Sequence, residues 1–123
     1  MENTIYKKIE LENNKTLVIS DLSRKIGEDA WVVIMKANIE ISIEKELFSD
    51  ESLPDFKFQD ILAVLGDKVT YEYKTQRNFI MDKEKDDVFE ALVKFFLDNL
   101  VKYLATPKFP GKFVLREYKD KIK

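Results

Sequence analysis

The stretch that decides the fold is Ala30-Trp31-Val32-Val33-Ile34-Met35-Lys36-Ala37-Asn38-Ile39-Glu40-Ile41-Ser42-Ile43-Glu44. Its odd positions, from Trp31 through Val33, Met35, Ala37, Ile39 and Ile41 to Ile43, are all apolar. Its even positions start apolar at Val32 and Ile34, then turn polar at Lys36, Asn38, Glu40, Ser42 and Glu44. Successive side chains on a strand point to opposite faces, so this period of two predicts a strand. Its first half is buried on both faces and its second half on one. A strand hidden on both faces lies centrally in a covered sheet, or has its outer face covered by another subunit. Fully extended it reaches about 45 Å at about 3.3 Å per residue. A compact domain of this length is only roughly 35 Å across. The strand must therefore bend, carry a bulge or project as an arm, and a projecting arm hints at self-association.

Upstream, residues 4–12 alternate Ile5, Ile9 and Leu11 against Tyr6, Lys8, Glu10 and Glu12, the pattern of a half-buried strand. Asn13-Asn14-Lys15 supplies a turn, because Asn tolerates positive φ at low cost. Residues 16–24 predict a second strand with Leu17, Ile19, Asp21 and Ser23 on one face, and Ile26-Gly27-Glu28-Asp29 turns the chain back. Two successive hairpins make a three-stranded antiparallel meander the expectation.

Downstream, Ser49, Asp50, Ser52 and Pro54 carry loop chemistry. Phe58, Ile61, Leu62 and Leu65 recur at helical spacing over 56–65, with Gly66 as the stop. Residues 69–79 alternate again, with Val69, Tyr71, Tyr73, Thr75, Arg77 and Phe79 on one face. Asp82 is a candidate N-cap for a long helix reaching Leu104, with Glu84, Asp86 and Asp87 in its first turn. Its apolar stripe (Phe89, Leu92, Val93, Phe96, Leu97, Leu100, Val101, Leu104) is widened by Val88, Phe95 and Tyr103 beyond what one sheet face covers. Ala105-Thr106-Pro107 ends it. Residues 112–118 predict an edge strand with Phe113 and Leu115 inward, and 119–123 a frayed tail. The expected fold class is α+β: an antiparallel sheet of four to five strands in the order β-β-β-α-β-α-β. One long C-terminal helix packs across it, against the odd face of the third strand.

The chain's 123 residues are one domain's length, and with 45% hydrophobic and 36% charged residues they can form a core and stay in solution. No Cys and no His are present. That excludes disulfides, thiolate or imidazole metal sites, cysteine nucleophiles and every His-dependent triad. Neither an apolar leader at the N-terminus nor a run approaching the roughly 20 residues of a membrane span is seen. The expected compartment is the cytoplasm. Seven basic residues against Glu117 and Asp120 make residues 102–123 positive, while the rest is net acidic. An acidic body repels phosphate, which argues against a nucleic-acid partner.

Few constellations carry chemistry. Arg77 shares by parity the apolar face of its strand, and a buried guanidinium needs a carboxylate. Asp21, inward beside Leu17 and Ile19, is the candidate partner. Arg77, Asp21, Tyr71 and Tyr73 would then form a buried ion pair or line a pocket between helix and sheet. The acids at 82, 84, 86, 87 and 90 lack the spacing of a calcium loop and suit a helix N-terminus. Glu40, Glu44 and Glu46 sit on a polar face, where solvated carboxylates keep ordinary acidity. No catalytic residue, metal ligand or cofactor is assigned, and no phosphate-binding glycine motif surrounds Gly27.

A meander, a further strand and a long helix ending Leu104-Ala105-Thr106-Pro107 is similar, in order of elements only, to the SecB-type export chaperones. The helix over 56–65 and the single long helix are departures from that order. The resemblance implies a chaperone-like binder of extended polypeptide. From the residues themselves the expectation is a noncatalytic protein-interaction module. It would bind another protein, foremost a second copy, as a homodimer through the third strand and the broad helix, with Trp31, Val32, Ile34, Phe95 and Tyr103 at the interface. The alternative is a small-molecule binder or enzyme with its pocket around Arg77.

Overall fold

The computed structural model describes residues 4–48 and 55–122; the expected loop chemistry at Ser49, Asp50, Ser52 and Pro54, and the last residue of the expected tail, lie outside them. Five strands form one antiparallel sheet: β1 (Thr4–Glu10), β2 (Thr16–Asp21), the two-residue β3 (Arg24–Lys25), β4 (Ala30–Ser42) and β5 (Lys68–Met81). β4 is the stretch whose alternation predicts a central strand. One of its edges pairs with β2 from Met35 to Ile39 and with β3 at Trp31 and Val32. The other edge pairs with β5 along its whole length. β1 lies outside β2, so on one side the sheet ends in β1 and the two-residue β3, and on the other in β5.

The helices are α1 (Asp55–Leu65), α2 (Lys85–Asn99), the single turn α3 (Val101–Leu104) and α4 (Phe109–Lys121). The odd face of β4 turns to the helix layer, as its alternation predicts. Val33, Met35, Ala37, Ile39 and Ile41 are all fully buried, in one core with Leu17 and Ile19 of β2 and Phe89, Leu92, Val93 and Phe96 of α2. The architecture is α+β. Among the described residues no helix is long and apolar enough to cross a membrane.

Val32 and Ile34, on the opposite face, are only 6% and 7% exposed within the single chain. The backbone after β2 runs alongside them: Leu22 N–H donates to Ile34 O at 3.0 Å, and Ile34 N–H donates to Ser23 Oγ at 2.9 Å. Their burial within the single chain needs no second subunit, and β4 pairs with β5 from Ala30 to Ser42 instead of projecting as an arm, with a bulge on β5. Trp31 pairs with Ile80 and Val33 with Arg77, so Asn78 and Phe79 together face Val32. An extra residue on one strand bends it and sharpens its twist. Phe79 takes φ 56° there and is 79% exposed.

The C-terminal region departs from its predicted form. Residues 112–118 lie within α4, and the helix continues through Lys121 where a frayed tail is expected. Buried Phe109, Phe113, Val114 and Tyr118 follow helical spacing, and Pro110 sits in the first turn, where a missing N–H costs nothing. Gly111 reads locally as a helix breaker, yet here it is a packing device. A Cβ at Gly111 would collide with the carbonyl oxygen of Leu47, in the short 3₁₀ turn Lys45–Phe48 that presses on α4. The long helix over 82–104 is also divided. Asp82–Glu84 form a 3₁₀ turn, and the axis kinks at Leu100 (φ −118°), beside Asn99, whose side chain bonds back to Phe95 O. Asn13, in the β1–β2 turn, fastens this region by donating to Leu104 O and Thr106 O, each at 2.9 Å.

Two substitutions check these backbone assignments. Phe79→Asn relieves a positive φ that costs a bulky side chain roughly 1–2 kcal/mol, so it should raise the melting temperature by several degrees. Gly111→Ala should lower stability by about 2–3 kcal/mol in denaturant titration, because the clash is with backbone. A stabilising Gly111→Ala would contradict the close approach of Leu47.

Candidate functional site

The sequence-predicted site residues fall in three separate places. Arg77 is exposed, its guanidinium Nη1 donating to Gln76 O at 3.1 Å, and among the described residues no carboxylate pairs with it. β5 is an edge strand, so a long side chain on it has an open path to water. Asp21 lies on the other side of β4, opposite Met35, whereas Arg77 lies opposite Val33. The buried Arg77–Asp21 pair, and a pocket built on Arg77, are thus corrected by the strand order, which sequence parity does not give. Asp21 instead accepts from Ser23 N–H at 2.9 Å and closes the turn after β2.

Asp21 and Ser23 line a small polar cleft with Trp31, Lys85 and Asp86. Trp31 is half-buried against the core, its indole Nε1 donating to Asp82 Oδ1 at 2.8 Å. Asp82 therefore anchors the tryptophan rather than capping α2, whose N-cap position is Glu84. The Lys85 ammonium sits 4.7 Å above the Trp31 ring and 3.0 Å from Asp86 Oδ1. The hydrogen bond and charge of Asp86 hold Lys85 above its ordinary range. Nucleophilic or basic catalysis by lysine is favoured by the opposite shift. Among the described residues no three acidic side chains converge as a metal site would require.

Tyr71 and Tyr73 rise from β5 into the helix layer. Tyr73 lies 5.0 Å from Phe96, and Tyr71 stands edge-on to Phe109 and Phe113 at 5.5 and 5.6 Å. Burial pushes the Tyr71 phenol up, with the neighbouring Tyr73 adding to the shift. Tyr71 also floors a 320 Å³ cleft walled by Tyr103, Leu104 and Phe109, with Lys112 and Arg116 at its rim. Part of the basic C-terminal charge thus stands beside aromatic rings next to β5.

A further place, missed by sequence parity, is the outer edge of β5. The alternation of an antiparallel ladder shows which of its backbone groups are free. Ile43 N–H donates to Asp67 O at 2.8 Å, extending the register that pairs Ile41 with Val69. The odd residues of β5 therefore bond inward to β4. The N–H and C=O groups of Thr70, Glu72, Lys74 and Gln76 point outward, and all four residues are exposed. Among the described residues no strand pairs with this edge.

The helix layer presents exposed aromatic surface on the same side. Leu97 and Val101 line a cleft with Ile9 and Leu11 at the β1 end of the sheet. Successive residues of an α-helix are about 100° apart, which puts Phe95 on the opposite flank of α2, toward β5. Phe95 is 58% and Tyr103 55% exposed. Of the expected interface residues, these two are open and Trp31, Val32 and Ile34 are covered. The signal for the edge was the unbroken polar series Thr70, Glu72, Lys74, Gln76, since charges on one face of a strand are how exposed edges resist indiscriminate pairing.

No known family, curated protein or solved structure matches the chain. With Arg77 exposed and without a carboxylate partner, Arg77→Met should leave unfolding free energy within about 0.5 kcal/mol of wild type. A loss above about 2 kcal/mol in urea titration would restore a buried ion pair.

Proposed function

We propose that the chain is a noncatalytic protein-interaction module, working in the cytoplasm, that pairs a polypeptide strand with the outer edge of β5. The single observation that carries this reading is the 14-residue strand paired, among the described residues, on one side only. Strand addition to such an edge draws affinity from main-chain hydrogen bonds and specificity from flanking side chains. The flank supplies them: Phe95 and Tyr103 for apolar contact, and the cleft of Tyr71 and Phe109 with Lys112 and Arg116 at its rim. The bulge at Asn78 and Phe79 marks where regular pairing stops. A pocket around Arg77 loses its support with that side chain exposed and outside the clefts described above.

The test uses a proline that removes an outward N–H while leaving the inward ladder intact. Lys74→Pro meets that condition, and edge strands tolerate Pro at such positions. Displayed random peptides of about twelve residues, panned against the wild-type chain, should enrich strand-forming sequences that lose at least about tenfold in affinity for Lys74→Pro. Thermal unfolding of the variant should stay close to wild type. Enriched peptides indifferent to the proline would contradict the reading.

A further inference from the structure

We infer that the strand received by the β5 edge is β5 of a second copy, paired antiparallel about a two-fold axis through Tyr73. This deepens the reading of β5 as a pairing edge and rests on it. Directly opposed residues in an antiparallel pair share a face, so the axis must pass through a residue and not between two. An axis at Tyr73 sets Glu72 opposite the partner's Lys74 and Lys74 opposite the partner's Glu72. Thr70 and Gln76 face one another in the same way. These are the residues whose N–H and C=O groups point outward, so the four pairs would close about eight backbone hydrogen bonds.

The neighbouring axes fail on charge or on length. At Glu72 or Lys74 the axial residue meets its own like charge. At Tyr71, Lys68 opposes Lys74. At Thr75, Glu72 and Lys74 face only Asn78 and Gln76. An axis at Thr70 also opposes Lys68 and Glu72, but over five residues, because the strand begins at Lys68. Tyr73 is the centre of the straight part of β5, between Lys68 and the bulge at Asn78. Opposite charges directly across a strand pair are favourable and like charges unfavourable.

The helix layer meets the same axis. Phe96 packs 5.0 Å from Tyr73, and Phe95, next to it, is 58% exposed and by helical periodicity lies on the flank of α2 opposite Leu97. The axis at Tyr73 therefore brings the two copies' Phe95 side chains together above the strand pair, so that apolar burial adds to backbone pairing. Arg77 would stand opposite the partner's Val69, with the partner's Tyr71 one diagonal step away. The two five-stranded sheets would become one continuous sheet.

Sedimentation velocity of the full chain from about 1 to 500 µM, a range that covers weak strand-edge association, reads this register through charge exchange. Wild type should be dimeric at the upper end. Glu72→Lys and Lys74→Glu, each alone, place like charges opposite one another and should weaken dimerisation at least about tenfold. Mixed in equal amounts they are complementary at both pairs, and the mixture should dimerise as wild type does. That recovery also shows that both variants fold. A wild-type chain that stays monomeric throughout overturns self-pairing. Dimers insensitive to the exchanges, or single variants that fail to recover on mixing, overturn the Tyr73 register. In either case peptides that bind wild type and not Lys74→Pro would leave β5 as the pairing edge, whereas peptides blind to the proline would remove that reading itself.

Discussion

The saturation of β4 is the constraint on which the rest of the molecule depends. It is hydrogen-bonded on one edge to β2 and β3 and on the other to β5, and its odd face is sealed by the helix layer. A strand so partnered has no backbone edge left to offer another strand. Its apolar even residues, Val32 and Ile34, are buried within the single chain. Unsatisfied pairing capacity is therefore displaced outward, to the sheet's edges, and β5 is the long one.

The edges are not equivalent, and β3, with two residues, offers almost no row to pair with. β1 has seven residues and a register shift between Ile5 and Lys7, which interrupts any regular row of outward groups. β5 is twice as long and straight until its bulge near the far end. Charged residues on an edge ordinarily discourage pairing, yet a charge series that is its own complement favours one register over the full straight length of the strand. Glu72 illustrates the point: within the chain it is held by Lys36 at 3.2 Å on the exposed face, which positions its carboxylate beside the free edge at little energetic gain.

Much of this was legible in the residues. β4 and β5 declare themselves by period two, and α2 by its apolar stripe, because each pattern mirrors burial that the strand or helix itself creates. Strand order was not legible, since parity says which face a residue occupies but not which strands flank it. Arg77 shows the consequence: on the apolar face by parity, it is free because its strand is an edge. The helix over Phe109–Lys121 was hidden for a different reason. Pro110 and Gly111 look like a terminator, and only the approach of Leu47, remote in sequence, explains why a glycine is required inside a helix. Asp82 reads locally as an N-cap for the same reason, its partner Trp31 lying 51 positions away. The site at the β5 edge combined both kinds of information, a readable polar series and an unreadable position in the sheet.

Amide hydrogen exchange along β5 examines the central claim most directly. In dilute protein the inward amides of Tyr71, Tyr73 and Thr75 should exchange slowly and the outward amides of Thr70, Glu72, Lys74 and Gln76 quickly. As concentration rises through the association range, the outward set should become protected while the inward set changes little. Outward amides already protected in the dilute chain, or still fast at the highest concentration, would contradict an edge held open for a second strand.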